Sequence, residues 1–270
     1  MEKKVILFLF FIFNTIILSS CSSAEDSIFD VDIIQTDSTT VEIENHFLQG
    51  KTFSILGNSI STYSGFISVG FRNYYSSKHF DVKKTWWMQF ATITGAELLS
   101  NASWSGSTVT YTGKDNVNSY FYSNVRIDSL GHNGVPDIIF VIGGTNDWKL
   151  HPSELGKYPS VDTLTFVGAY TTMVERIKSK YKQSTIVLSS ILPRMEGWDS
   201  KNSKGWSISK ANSCIEKIAN DYNCLYVNMD KCGIDNPSGK YMFDSVHPNA
   251  QGMKLIANSF AEFLLENYSF

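Results

Sequence analysis

The pattern of apolar positions changes near residue 46 of this 270-residue chain. From there to the end, short apolar runs alternate with longer stretches whose apolar residues recur at helical spacing. Residues 52–56 (Thr-Phe-Ser-Ile-Leu) form the first run and stop at Gly57. Residues 86–93 read as a buried helix and 97–100 as a second strand. Residues 137–142, which follow Pro136, are apolar almost throughout, as expected of a strand buried on both faces. Residues 164–181 have helical periodicity, with Lys178, Lys180 and Lys182 at the end where cations suit exposed carbonyls. Residues 185–191 form a further strand, stopped by Pro193. A helix over 208–222, a last strand over 224–227 and a closing helix over 252–265, beyond Pro248, complete the chain. Strand alternating with helix predicts an α/β domain, a parallel sheet covered by helices on both faces. Functional groups of such sheets collect at the carboxyl ends of the strands.

The stretch ahead of this domain has a different character. Glu2, Lys3 and Lys4 precede an apolar run over 5–18, and Leu18-Ser19-Ser20-Cys21 follows. The run is short for a membrane span and fits a signal peptide over 1–20. Leu-Ser-Ser-Cys is similar to the bacterial lipobox, in which the Cys is lipidated; the plainer reading is an ordinary secretory signal with a chance Cys. Residues 22–45 hold seven acidic residues and no Lys or Arg, so 21–45 reads as a solvated tether. Val31, Ile33, Val41 and Ile43 alternate with polar residues there, which suggests a short edge strand. The chain is thus expected to be exported and held at a membrane of a bacterial cell envelope through Cys21, with 46–270 as the working domain.

Charge adds one exclusion. The net charge is −3 and no Lys/Arg run occurs, which argues against a nucleic-acid surface. Beyond Cys21 three cysteines remain, Cys214, Cys224 and Cys232. No two form a Cys-x-x-Cys pair, so neither a metal nor a redox site is expected. They read as small buried residues with one optional disulfide. Aromatics reach 14% of the chain, from either a ring-rich core or an aromatic binding surface.

Four motifs carry the chemistry. Ser59, after Gly57 and Asn58, lies just beyond the first strand, where a Ser can be exposed with its own N–H facing a bound oxyanion; it is equally suited to capping a helix. His247 could take its proton, and Asp244, three residues earlier in Asp244-Ser245-Val246-His247-Pro248, could orient the ring. Asn146, in Gly143-Gly144-Thr145-Asn146-Asp147, offers an amide donor from a Gly-rich turn, or simply an Asx turn. Gly106, in Asn101-Ala102-Ser103-Trp104-Ser105-Gly106, allows its N–H a close approach to substrate. Together they supply a nucleophile (Ser59), a base with its carboxylate (His247, Asp244) and three oxyanion donors (Ser59, Gly106, Asn146), which is the equipment for acyl transfer.

These four blocks, in this order across 52–260, resemble those of the SGNH hydrolase superfamily, the GDSL-like esterases and lipases. The resemblance implies a three-layer α/β/α sandwich of flavodoxin-like type, serine hydrolysis of esters, and no metal or cofactor. One position departs from the family pattern: Asn58 stands where Asp usually precedes the nucleophile, and Asn can make similar turn hydrogen bonds. Two segments read as substrate-facing insertions, 63–81 with Phe66, Phe71, Tyr74, Tyr75 and Phe80 and 194–206 with Trp198 and Trp206; Trp148 follows the Asn block. Such rings either bind a sugar or acyl group or pack on the domain itself. The expected activity is hydrolysis of short acyl esters, acetyl above all, on carbohydrate. A lipase or lysophospholipase, and a catalytically silent carbohydrate-binding lipoprotein, are the alternatives. The oligomeric state is left open.

Overall fold

The structure, a computed structural model, describes residues 34–36, 39–41, 46–113, 118–234 and 239–268. The signal segment, Cys21 and most of the tether lie outside the described residues. Two three-residue strands within the tether, β1 (Ile34–Thr36) and β2 (Thr39–Val41), pair antiparallel with Ile34 opposite Val41. These two strands form a two-stranded sheet separate from the main one; Val31, Ile33 and Ile43 lie outside the described residues.

The main sheet is built from β3 (Thr52–Gly57), β4 (Glu97–Asn101), β5 (Ile138–Ile142), β6 (Thr185–Ser189) and β7 (Leu225–Val227). Its spatial order is β4-β3-β5-β6-β7 and every pairing is parallel. The helices are α1 (Trp86–Thr94), α2 (Asn124–Ser129), α3 (Thr145–Trp148), α4 (Phe166–Lys180), α5 (Ile208–Asp221) and α6 (Ala250–Asn267). Because side chains alternate across a strand, each strand feeds two cores. Phe53, Ile55, Ile138, Phe140 and Ile142 face α1 and α6. Leu56, Ile139 and Val141 face α2, α4 and α5. This is the expected three-layer α/β/α sandwich.

The first face answers where the aromatics go. Phe53 and Phe90 meet edge-to-face at 5.3 Å, Phe53 and Phe140 at 5.7 Å, and Trp86 and Phe140 at 5.6 Å. Pairs of this kind add about 0.5–1.5 kcal/mol each beyond the area they bury. Among the described residues no disulfide forms: Cys232 is buried, and Cys214 and Cys224 are half-buried.

Sheet order reverses at β3, which lies between β4 and β5 although it precedes both in sequence. Chains leaving β3 and β5 diverge to opposite faces there and open a crevice at their carboxyl ends. The loops after β3, β4 and β5 carry Ser59, Gly106 and Asn146.

Candidate active site

β3 ends at Gly57 because the next turn is crowded. A Cβ on Gly57 would sit 2.7 Å from Ser103 Oγ and 2.8 Å from Ser61 Cβ. Asn58 then caps a single 3-10 turn, Ser59–Ser61, its Oδ1 accepting the Ile60 N–H at 3.0 Å. The cap is thus Asn58 and not Ser59. An Asp at this position would accept the same hydrogen bond, so Asn58 fills the turn role of the Asp usual there. The turn leaves the Ser59 hydroxyl at the sheet edge, 4% exposed.

Asp244 and His247 reach the same edge from the loop before α6. The Phe243 N–H donates to the His247 carbonyl at 2.8 Å, closing a turn. Within it Asp244 Oδ1 accepts the N–H groups of Val246 and His247, both at 2.8 Å. That leaves Oδ2 for the ring: His247 Nδ1 is 2.7 Å away. A carboxylate only accepts, so Nδ1 carries the proton and Nε2 is the free acceptor. Ser59 Oγ lies 2.9 Å from Nε2 and donates to it.

Burial lowers the His247 pKa below its ordinary value, more than Asp244 raises it, and the charges of Arg194 and His79 push the same way. The ring is therefore neutral at neutral pH, the state able to take a proton. Burial alone would raise the Asp244 carboxyl, but the His247 ring and the two backbone N–H groups more than offset this, and it stays ionised below the usual carboxylate range.

Tyr74 is a member of this group that sequence reasoning gave to a substrate surface. Its ring lies flat on the His247 imidazole, with centroids 3.6 Å apart and planes 8° from parallel. Its hydroxyl donates to Asp244 Oδ2 at 3.1 Å. Tyr75 approaches the imidazole edge-on at 6.1 Å and donates to the Pro248 carbonyl at 2.8 Å. Part of the aromatic segment 63–81 thus packs on the histidine. The cluster of rings was visible in sequence; its target was not.

Asn146 and Gly106 come together across the β4 and β5 loops. Asn146 sits in a one-turn helix, α3, entered through Gly144 at φ +102°, and not in an Asx turn. One hydrogen of its amide donates to the Ser107 carbonyl at 2.8 Å; the amide has a second. Among the described residues, the backbone N–H groups of Ser59 and Gly106 have no acceptor. Asp147, next in the same block, is fully buried and receives the N–H groups of Val109 and Thr110 at 2.8 and 2.9 Å. Burial, only partly offset by these donors, pushes its pKa up to about 7. Asp147 thereby ties the loop beyond Gly106 to α3.

Arg126 of α2 gave no sequence signal beyond a single cation between Val125 and Ile127. It is fully buried. Its guanidinium donates to the carbonyls of Gly57, Ala102 and Ser119 and to Ser107 Oγ. One side chain therefore joins the ends of β3 and β4.

Of the three tryptophans read as substrate-facing, Trp148 and Trp206 turn inward and Trp198 keeps part of its ring exposed. Trp206 is 3% exposed, stacks on Phe166 and donates its indole N–H to the Ser153 carbonyl at 2.8 Å. Trp148 is also 3% exposed and lies under the Arg194 guanidinium, 5.3 Å from its ring centre. Trp198 is half-buried against the α4–α5 core. The 194–206 segment packs on the domain because its rings find apolar partners there. Arg194 in turn is fixed by Thr145 Oγ1 at 2.7 Å and by both oxygens of Glu196. Among the described residues no cluster of His, Cys, Asp or Glu could hold a metal ion, and no helix is long and apolar enough to cross a membrane.

A nucleophile, a neutral base, an ionised carboxylate and free N–H donors in one crevice can carry out acyl transfer. Comparison with known proteins points the same way. The family model of the GDSL-like Lipase/Acylhydrolase matches residues 51–264. A structure from Bacteroides ovatus ATCC 8483 named as a GDSL-like lipase is 27% identical. The match covers 80% of this chain and 99% of that one with a TM-score of 0.63. Another so named, from Bacteroides uniformis ATCC 8492, is 26% identical, covering 81% and 98% with a TM-score of 0.60. The acetyl xylan esterase AlAXEase shares the fold at 18% identity, with 78% and 98% covered and a TM-score of 0.54. No curated protein matches the chain.

Proposed function

The chain belongs to the GDSL-like lipase/acylhydrolase family, hydrolases acting on ester bonds, and from that membership we propose that it is a serine esterase with Ser59 as nucleophile. The observation that carries this reading is the unbroken chain Ser59 Oγ, His247, Asp244, at 2.9 and 2.7 Å. His247 Nε2 takes the hydroxyl proton as Ser59 Oγ attacks the ester carbon. The N–H groups of Ser59 and Gly106 and the second Asn146 amide hydrogen receive the charge that develops on the carbonyl oxygen. His247 then passes the proton to the leaving alcohol, and water, activated by the same nitrogen, releases the acyl group. Asp244 stabilises the imidazolium at each stage.

For substrate, we propose short acyl esters, acetyl above all, on carbohydrate. The half-buried Trp104, paired with Phe71 at 4.5 Å beside the Gly106 loop, and the partly exposed Trp198 are the rings that remain to meet a sugar. The fold held in common with an acetyl xylan esterase is compatible with this reading. Initial rates on acetylated glycans and on nitrophenyl esters of increasing chain length test it. Rates that climb with acyl length favour the lipase reading instead, for which exposed Leu150, beside Gly106, offers apolar surface. The protein is further proposed to be exported and lipid-anchored at Cys21. Cys21→Ser is expected to move it from the membrane to the soluble fraction; unchanged fractionation refutes the anchor.

The pH dependence follows from His247. With its pKa lowered, the acid limb of kcat/KM is expected to have its midpoint below the ordinary histidine value of 6.5. Tyr74 sharpens the test. Tyr74→Phe keeps the stacked ring but loses a hydrogen bond to a carboxylate, worth about 1.5 kcal/mol or roughly tenfold in kcat. Tyr74→Ala rehydrates one face of the imidazole, so the acid limb is expected to move to higher pH. A limb that does not move in Tyr74→Ala removes Tyr74 from the control of His247.

A further inference from the structure

The Ser105–Gly106 peptide carries one of the proposed oxyanion donors, and it is held in a way that points to a further residue. Ser107 N–H donates to the Trp104 carbonyl at 3.2 Å, closing a four-residue turn. Gly106, third in that turn, has φ +80°. These are the marks of a type II turn, whose central peptide is flipped relative to type I. Glycine accepts either arrangement, so the sequence of the turn alone does not fix which way the Gly106 N–H points.

Arg72 fixes it. Its Nε and Nη2 both donate to the Ser105 carbonyl, at 3.0 and 2.8 Å. Its own carbonyl accepts the Ser105 N–H at 2.7 Å. In a trans peptide the C=O and the N–H point in opposite directions. A guanidinium gripping Ser105 C=O from one side therefore commits Gly106 N–H to the other. The grip also polarises the peptide, since a hydrogen bond accepted at the carbonyl strengthens donation from the N–H. The absence of a side chain on Gly106 is part of the same construction: a Cβ there would lie 2.4 Å from Arg72 Nη2. Arg72 is exposed, and among the described residues no carboxylate pairs with it. Its neighbours Phe71 and Tyr74 hold Trp104 and His247.

We propose that Arg72 is a positioning residue for catalysis, a clamp that orients and polarises the Ser105–Gly106 peptide so that the Gly106 N–H is presented to the substrate oxyanion. This rests on the esterase reading above. Loss of a whole oxyanion donor costs about 10²–10³ in turnover. Loss of the clamp leaves the donor present but free to flip, so Arg72→Ala is expected to lower kcat about tenfold or more, with KM for a neutral short-chain ester changed little. Arg72→Lys, which keeps the charge but lacks the two-nitrogen fork, is expected to recover only part.

Wild type, Arg72→Ala and Arg72→Lys are compared by steady-state kinetics on a neutral and an anionic nitrophenyl ester, by the rate of Ser59 labelling with a fluorophosphonate, and by thermal melting. The proposal expects kcat on both esters and the labelling rate to fall by similar factors, with the melting temperature and the acid limb unchanged. It is overturned if kcat on the neutral ester and the labelling rate are kept. That includes a loss confined to KM for the anionic ester, which makes Arg72 a substrate-charge contact. It is also overturned if the loss follows a fall in melting temperature in both variants. If wild type is not labelled at Ser59 at all, the esterase reading fails instead.

Discussion

Ser59→Ala and His247→Ala are each expected to reduce ester turnover to the level of the remaining binding and oxyanion contacts, a loss on the order of 10⁴–10⁶. A serine hydroxyl at its ordinary pKa is a poor nucleophile, and the 2.9 Å contact to a neutral imidazole is what activates it. Removing either partner removes the same event. The double variant is therefore expected to be no worse than either single one, whereas independent contributions would multiply. Asp244→Ala is expected to be milder. Its side chain is 44% exposed, so water can take over part of the contact to Nδ1, and Tyr74 still covers the ring. Single-turnover kinetics with a nitrophenyl ester, alongside fluorophosphonate labelling, checks all four variants. Full turnover by Ser59→Ala would end the reading.

The layers, the parallel sheet and the four blocks were legible because each rests on local pattern. The run over 137–142, which reads as a strand buried on both faces, is β5 at the centre of the sheet. Short helices were harder. α2 and α3 span only six and four residues, too few for a 3.6-residue period to register, so Asn146 was read in a turn and Arg126 was not read at all. Aromatic residues were ambiguous for a different reason. Ring content shows apolar area but not direction: Trp148 and Trp206 turn inward onto Arg194, Ser153 and Phe166, partners 40 or more residues away in sequence. Tyr74 shows the same limit from the other side. Its partners, Asp244 and His247, lie about 170 residues further along, so no window of sequence could link them.

Arg126→Met is expected to lower both stability and turnover, and Arg126 is the residue whose loss should be felt furthest from its own position. Burial with no carboxylate partner among the described residues lowers its pKa from 12.5 to about 9, still well above neutral pH, so the side chain stays a cation. Replacing buried charges with apolar groups is often harmless when all the polar partners go with them. Here they cannot go, because three of the four acceptors are backbone carbonyls, those of Gly57, Ala102 and Ser119. The Gly57 carbonyl keeps the Trp104 N–H at 3.0 Å, but each buried acceptor left without a donor costs about 1–3 kcal/mol, so a net loss of roughly 1–3 kcal/mol is expected once relief of the desolvated charge is counted. In a domain of this size that corresponds to a fall of about 5 °C in Tm. Gly57 stands two residues before Ser59, and Ala102 four before Gly106, so the carbonyls that lose the guanidinium lie in the two loops that must stay in register for attack and oxyanion capture. A displacement of even about 1 Å there can cost on the order of 10²-fold in kcat. Arg126→Lys can reach one or two of the four acceptors and should fall between Met and wild type in both respects. Thermal melting and kcat measured on the same preparations, at a temperature where Arg126→Met is still folded, separate the two effects. An Arg126→Met protein that melts and turns over like wild type would show that the two loops are held in register without it.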